Sequence, residues 1–446
     1  MTNDGLLAGV IEGFYGQPWS QAERMELYRL MAAWGLNTYM YAPKDDLKHR
    51  ALWREPYTAS ESAQLQELVT AAKQSGIQFI YALSPGLDIQ YGSNRDLDCL
   101  KQRFAQMQDL GCRHFCLLFD DIPDRMHEED LQRWSSLASA QCYVANTMFD
   151  WLKHETPFLF CPTPYCGRMA MRNHGGEGYL SIVGRELSSG IDVFWTGPEI
   201  ISREITVTNI QEISDLLRRK PLIWDNLHAN DYDGRRFYCG PYSGRPLELR
   251  TKVRGFLCNP NNEFPLNFVL LRTMADYIRC AGSWEPRQAY LAAMKEWWPY
   301  FETLSNPISL EDLILFGDCY YLPYEEGWEA EAVCQTLKIL LSTNPVDWGD
   351  KATLFCQKAN QLLHCCVRMA ELRNRPLFYA LSRRVWELRE EMDLLEKFVR
   401  FRSQHPNEPF TSDFHLPKTY RGGMVARLQR LFSQNEDGTF RPSDFS

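Results

Sequence analysis

The chain has no uninterrupted run of about 18 apolar residues, so it offers no candidate for a membrane-spanning helix. Its opening Met-Thr-Asn-Asp-Gly carries neither a basic region nor a long apolar stretch, so it does not read as a secretory signal, and the expectation is a soluble chain. The 14 cysteines include no CxxC pair, and no histidine spacing of the zinc type accompanies them. They lie scattered in apolar runs, as do Cys112, Cys116, Cys161, Cys365 and Cys366, and read as buried free thiols of a reducing compartment. Positive charge is also in short supply. With 48 Lys and Arg against 57 Asp and Glu the net charge is -9, which argues against nucleic acid or an anionic membrane as partner. No GxGxxG or P-loop pattern follows the first apolar run, so a nucleotide fold lacks its fingerprint.

What is present is the mix of an ordinary globular protein, 45% hydrophobic and 24% charged, in 446 residues that suit one large domain and a smaller one. Aromatics make up 13%, with 13 Trp. Such rings stack on the apolar face of a sugar, although most of them are expected to fill the core.

Short apolar runs after turn signals give candidate strands at residues 6–11, 36–41, 78–83, 114–119, 158–161, 192–195, 222–224 and 255–258. The intervening segments are each long enough for one helix. Ser20 with Glu23 and Thr58 with Glu61 are capping-box patterns, and Gly35, Gly76 and Gly111 stop helices. Eight strands before about residue 260 predict a closed (β/α)8 TIM barrel rather than an open sheet. Long helical periodicities then follow at 268–278, 329–341, 352–372 and 377–401, the last three reading as an α-helical bundle. The expected domains are a barrel over residues 1–282 and a bundle domain over 283–446, ending in a partly ordered C-terminal segment beyond about Gln404.

Barrel enzymes work at the C-terminal face of the strands. There the sequence puts Glu12-Gly13, Lys44-Asp45-Asp46, Ser84-Pro85-Gly86, Asp120-Asp121, Thr163-Pro164-Tyr165, Thr196-Gly197-Pro198, Asp225-Asn226 and Asn259-Pro260-Asn261, all of them polar or glycine-rich. Two adjacent carboxylates reaching one pocket push their pKa values apart, which suits an acid/base pair, so Asp120 and Asp121 are the candidate catalytic residues. Helix capping, or cation binding with Asp124, is the bland alternative. A metal site would draw on Asp45, Asp46, Asp88, Asp225 and Asp231, but no histidine accompanies them in ligand spacing, and neither metal nor other cofactor is expected.

At these residues the chain resembles family 84 of the glycoside hydrolases, in particular the animal-type protein O-GlcNAcases. The segments that carry the resemblance are GVIEGFYGQPW (9–19), NTYMYAPKDDLKHR (37–50), FIYALSPGLDI (79–89), LLFDDI (117–122), FCPTPYCG (160–167), WTGPEI (195–200), IWDNLHANDYD (223–233) and NPNNEF (259–264). It continues through LEDLILFGDCYYLPYEEGW (310–328), RRVWELR (383–389) and TYRGGMVARLQRL (419–431).

The resemblance implies a retaining β-N-acetylglucosaminidase with substrate-assisted catalysis, in which Asp120 orients the substrate's 2-acetamido group and Asp121 serves as general acid, then base. It further implies sugar contacts from Gly13, Lys44, Asn226, Asp231 and Asn261, with Tyr165, Trp224 and Tyr232 shaping the acetamido pocket and the sugar face. Of these, Trp224 and Asn261 have plain readings as barrel core and turn residue, whereas Lys44 and Asp231 are costly to bury without a partner. The implied partners are O-GlcNAc-modified proteins or peptides and a second copy of the chain, giving a homodimer through the helical domain, in a cytoplasmic and also nuclear setting. The other readings are a hexosaminidase of glycan or hyaluronan-type oligosaccharides and a catalytically silent sugar-binding protein.

Overall fold

The computed structural model describes residues 5–123, 125–154, 156–171, 178–413 and 422–443. Asp124, residues 1–4 of the opening and residues 419–421 of the last motif quoted above lie outside them.

Eight parallel strands close a barrel: β1 (Leu7–Glu12), β2 (Thr38–Tyr41), β3 (Gln78–Leu83), β4 (His114–Leu118), β5 (Phe158–Cys161), β6 (Ile191–Trp195), β7 (Leu222–Asp225) and β8 (Gly255–Cys258). Neighbours in sequence are neighbours in the ring. It closes between β1 and β8, with Leu7 opposite Gly255 and Val10 opposite Cys258. Alternate residues point inward. Ile11, Met40, Ile80, Ala82, Cys116, Leu118, Leu159, Phe194 and Leu257 fill the interior, so the barrel is a packed core rather than a channel.

The helices begin where the capping chemistry puts them. Helix α1 (Gln21–Trp34) starts at Ser20, whose side chain accepts from the Glu23 amide while the Glu23 carboxylate accepts from the Ser20 amide at 2.7 Å. Such a cap contributes about 1 kcal/mol. Gly35 ends the helix at φ 77°, a left-handed turn that costs a glycine least. Helix α2 (Ala59–Gln74) repeats the device with Thr58 and Glu61. One expected helix is absent. Between β7 and β8 the chain forms only a 3-10 turn at Leu247–Thr251, because Gly234, Gly240, Pro241, Gly244 and Pro246 break any longer helical run.

The chain separates into two compact units, and the division is not a single cut. The first holds residues 1–231, 242–264 and 274–284; the second takes 232–241, 265–273 and 285–446. Within the second unit the main helices run over Pro286–Trp297, Leu310–Asp318, Trp328–Leu341, Asp350–Met369 and Arg375–Gln404, the last two forming a helical hairpin. Asp318 is fully buried there, paired in bidentate fashion with Arg287 at 2.6 and 2.9 Å. Beyond Gln404, a short helix (Gly423–Gln429) and an antiparallel strand pair (Phe432–Gln434 with Phe440–Pro442) bury Met424, Leu428, Phe432 and Phe440, and the Phe432 ring meets that of Phe398. No helix among the described residues is long and apolar enough to cross a membrane.

Candidate active site

Asp120 and Asp121 stand one residue beyond β4, after Phe119, at the strand ends where the barrel opens, and their surroundings differ. Asp120 is 5% exposed, and its Oδ2 accepts a 2.5 Å hydrogen bond from Lys44 Nζ, which the turn after β2 delivers. Its Oδ1 is buried without a hydrogen-bond partner among the described residues. Burial alone pushes this carboxyl up; the Lys44 ammonium, by charge and by hydrogen bond, and the Arg50 guanidinium outweigh it and hold Asp120 below the usual carboxylate range. The group is therefore an anion at neutral pH with one acceptor oxygen unused.

Asp121 is exposed and takes the left-handed backbone conformation, φ 51°. Away from glycine that region costs about 1 kcal/mol, and it turns the Asp121 side chain out of the strand direction. Two phenols meet its carboxyl: Tyr165, after β5, donates to Oδ1 at 2.8 Å, and Tyr15, after β1, donates to Oδ2 at 3.1 Å. Burial and the Asp121 charge both push Tyr165 up, and the same two causes, opposed by Arg50, push Tyr15 up, so both hydroxyls keep their protons. Arg50 in turn donates to the Tyr15 hydroxyl at 2.5 Å and to the Asp121 main-chain carbonyl at 2.7 Å.

Trp224, on β7, lies with its ring 5.6 Å from Lys44 Nζ. Gly13 faces the same indole, and a Cβ at this position would come within 2.5 Å of it. Hence the backbone there approaches as closely as it can only because no side chain intervenes. The Asn226 side chain donates to the Ile200 carbonyl at 2.8 Å and accepts from Asn259 at 3.0 Å. Asp231 accepts from the Tyr15 amide at 3.0 Å, Asp45 from the Gly16 amide at 2.6 Å, and the Tyr15 carbonyl accepts from Asn262 at 2.6 Å. The β1 loop that carries Tyr15 is thus fastened from three sides.

Beneath these groups His49 is fully buried, its Nδ1–H donating to the Ala82 carbonyl at 2.9 Å. Burial, and then the Lys44 ammonium, push it down to about 4.

Of the residues singled out from the sequence, Lys44 with Asp120 and Tyr165 with Asp121 form two hydrogen-bonded pairs, Trp224 lies beside Lys44 and Gly13 against Trp224, and Asn226 and Asp231 stand on neighbouring loops. Asn261 is fully buried, and Asn259, two residues earlier, donates to Asn226. Tyr232 belongs to the second unit, where its hydroxyl bonds that of Tyr238. The acids weighed for a metal take separate partners: Asp225 pairs with Arg245 and Tyr242, Asp88 with Arg54, and Asp46 with Tyr41 and Tyr57. Among the described residues no three His, Cys, Asp or Glu gather as a metal would need.

The sequence reading gave no site role to Tyr15, Arg50 or Asn259. Each lies within or beside a quoted motif, but only the fold shows which of its polar residues reach the carboxylates.

A family model described as beta-N-acetylglucosaminidase matches residues 8–306. The protein O-GlcNAcases of mouse (Mus musculus) and rat (Rattus norvegicus) are each 48% identical over 274 residues, which is 61% of this chain and 30% of theirs. The chain thus spans less than a third of the length of those relatives. Among solved structures, an O-GlcNAc hydrolase mutant of Thermobaculum terrenum superposes with a TM-score of 0.79 at 29% identity, covering 89% of this chain and 84% of that one. CpGH84B, at 24% identity and a TM-score of 0.77 over 90% of this chain and 70% of its own, shares the fold.

Proposed function

Because the chain belongs to the beta-N-acetylglucosaminidase family, we propose that it is a retaining exo-β-N-acetylglucosaminidase that removes O-linked N-acetylglucosamine from Ser and Thr of proteins. The observation that carries this reading is the half-used carboxylate of Asp120. One oxygen is held by Lys44, and the other, buried and unpaired, is an acceptor for the N–H of a 2-acetamido group. An anion there orients the acetamide and favours the charge that its nitrogen gains as its carbonyl oxygen attacks C1.

In that scheme Asp121 donates its proton to the glycosidic oxygen while the C1–O bond breaks and the acetamide oxygen bonds C1, giving a protonated oxazoline whose N–H stays hydrogen-bonded to Asp120. Asp121, now a carboxylate, takes a proton from water as the water adds to C1 and the oxazoline opens, so the anomeric configuration is retained. Its exposure fits a group that meets both the leaving oxygen and water. Gly13, Lys44, Trp224, Asn226, Asp231, Asn261 and Tyr165 hold the sugar, with Asn259 bracing Asn226; Tyr232 keeps the role that the family resemblance gave it.

The relatives named for protein O-GlcNAc support the choice of glycoprotein substrates over glycan chains. The test compares release of N-acetylglucosamine from a modified Ser or Thr peptide with release from a β-linked oligosaccharide, each with and without the 2-acetamido group. Preference for the peptide and dependence on the acetamide are expected; turnover of substrates lacking the acetamide would overturn substrate assistance, and preference for the oligosaccharide would make the chain a glycan hexosaminidase. We also propose a homodimer through the helical unit, supported by the exposed Tyr379 and Val367 there, and tested by sedimentation. A cytoplasmic and nuclear setting is supported by the 14 free cysteines and tested by localising the tagged chain.

A further inference from the structure

Arg50 is 8% exposed, yet among the described residues no carboxylate forms an ion pair with it. A guanidinium buried on the barrel without an acidic partner is expensive unless its donors do something specific. Two of them do. Nη2 holds the main-chain carbonyl of Asp121, the residue whose backbone sits in the left-handed region, and Nη1 holds the hydroxyl of Tyr15. Arginine has donors only, so the Tyr15 oxygen accepts from it, and the single phenolic proton is left to point at Asp121 Oδ2, 3.1 Å away. The planar fork therefore reaches Asp121 by two routes of different length, one through its own backbone and one through a neighbouring side chain.

We propose that Arg50 is a positioning residue for the Asp121 carboxyl, fixing its backbone through the main-chain carbonyl and its side-chain rotamer through the Tyr15 hydroxyl. Lysine does not replace it, because a single ammonium is a point donor and does not present two parallel N–H groups in one plane. The inference rests on the general-acid reading of Asp121.

The test measures kcat/KM of Arg50→Met, Arg50→Lys and Asp121→Asn on an activated aryl N-acetylglucosaminide and on an alkyl one whose leaving group needs protonation. Both Arg50 variants are expected to lose roughly 10²-fold on the alkyl substrate, the scale of a misplacement of about 1 Å, and at least tenfold less on the aryl one. Combined with Asp121→Asn, Arg50→Met is expected to add no further loss, since residues acting as a unit are not additive. Wild-type rates in Arg50→Lys, or equal losses on both substrates that add to those of Asp121→Asn, would overturn the proposal. If Asp121→Asn is itself unselective, the general-acid reading falls first; a selective Asp121→Asn beside an unselective Arg50→Met removes this inference alone. Should Arg50→Met fail to fold, Tyr15→Phe carries the same comparison, because it deletes the relay hydroxyl and leaves the guanidinium in place.

Discussion

Two strands of the barrel, β1 and β7, end on a buried acid and a third buried acid, Asp120, stands two residues beyond β4; the first two differ from the third in one respect. Glu12 is saturated: its oxygens accept from Arg24 at 2.6 and 2.8 Å, from Tyr39 at 2.5 Å and from the Trp19 amide at 3.0 Å. Asp225 is saturated too, by Arg245 at both oxygens, by Tyr242 and by the Leu227 amide. Asp120 has the single bond from Lys44 and an oxygen left over. All three look alike in sequence, as acids that end apolar strands. The lesson is that a fully bonded buried acid holds the scaffold together, whereas a half-bonded one is a binding group waiting for its second partner.

The sharpest way to break that contrast is to make the same substitution at both kinds of site. Asp225→Asn leaves Arg245 buried without its counter-charge, and we expect it to lower the stability by about 3–5 kcal/mol in denaturant unfolding. Asp120→Asn should cost less stability, because fewer bonds depend on it, but it should lower kcat/KM by roughly 10²–10³-fold, about 2.7–4 kcal/mol, on aryl and alkyl substrates alike. If the two variants exchange these behaviours, saturation does not separate scaffold from site.

A smaller effect sharpens the electrostatic half of the comparison. Asp120 acts as an anion and its folded pKa is depressed, so activity is present above that value and lost as the pH falls through it. The acid limb of kcat/KM in the native enzyme should accordingly lie below the ordinary aspartate value. Lys44→Met removes the largest influence opposing burial, and the limb should move up. An unmoved limb would mean that another group titrates there.

The smallest expected effect is on His49, whose neutral form belongs to the folded state. Its pKa is lowered to about 4, so its contribution to stability is complete above the ordinary histidine value of about 6.5 and is lost as the pH falls toward about 4. Over that window the slope contributed is up to about 1.4 kcal/mol per pH unit. His49→Gln should flatten the dependence in chemical unfolding between pH 7 and 5, and an unchanged slope would assign the acid sensitivity to other groups.

The barrel was legible in the sequence because each strand is a short, nearly continuous apolar run bounded by turn residues, as strands buried on both faces are; β5 and β8 fall on the expected residues, and β1 is displaced by one. The missing helix before β8 was less legible, since length alone suggested one and the glycines and prolines had to be given more weight. At the site, Asp120, Asp121 and Lys44 were visible as polar residues at strand ends. The contacts of Tyr15 and Arg50 to Asp121 were not, because they join residues 106 and 71 positions apart, and no local pattern encodes such pairings. That Asn259 braces Asn226 was not visible either, because polarity alone carries no sign of which partner a strand-end amide meets.

The interleaved division of the chain has a practical reading for anyone who wishes to trim it. Stopping at residue 284 keeps every barrel strand but strands residues 232–241 and 265–273 without the remainder of their unit. Phe237, 1% exposed and stacked 4.7 Å from Tyr320, would then lose its cover, as would Phe268, stacked 6.2 Å from Trp297, and the shortened product should aggregate rather than fold as a free-standing catalyst. A minimal active form has to be sought by shortening surface loops, not by discarding a terminal half.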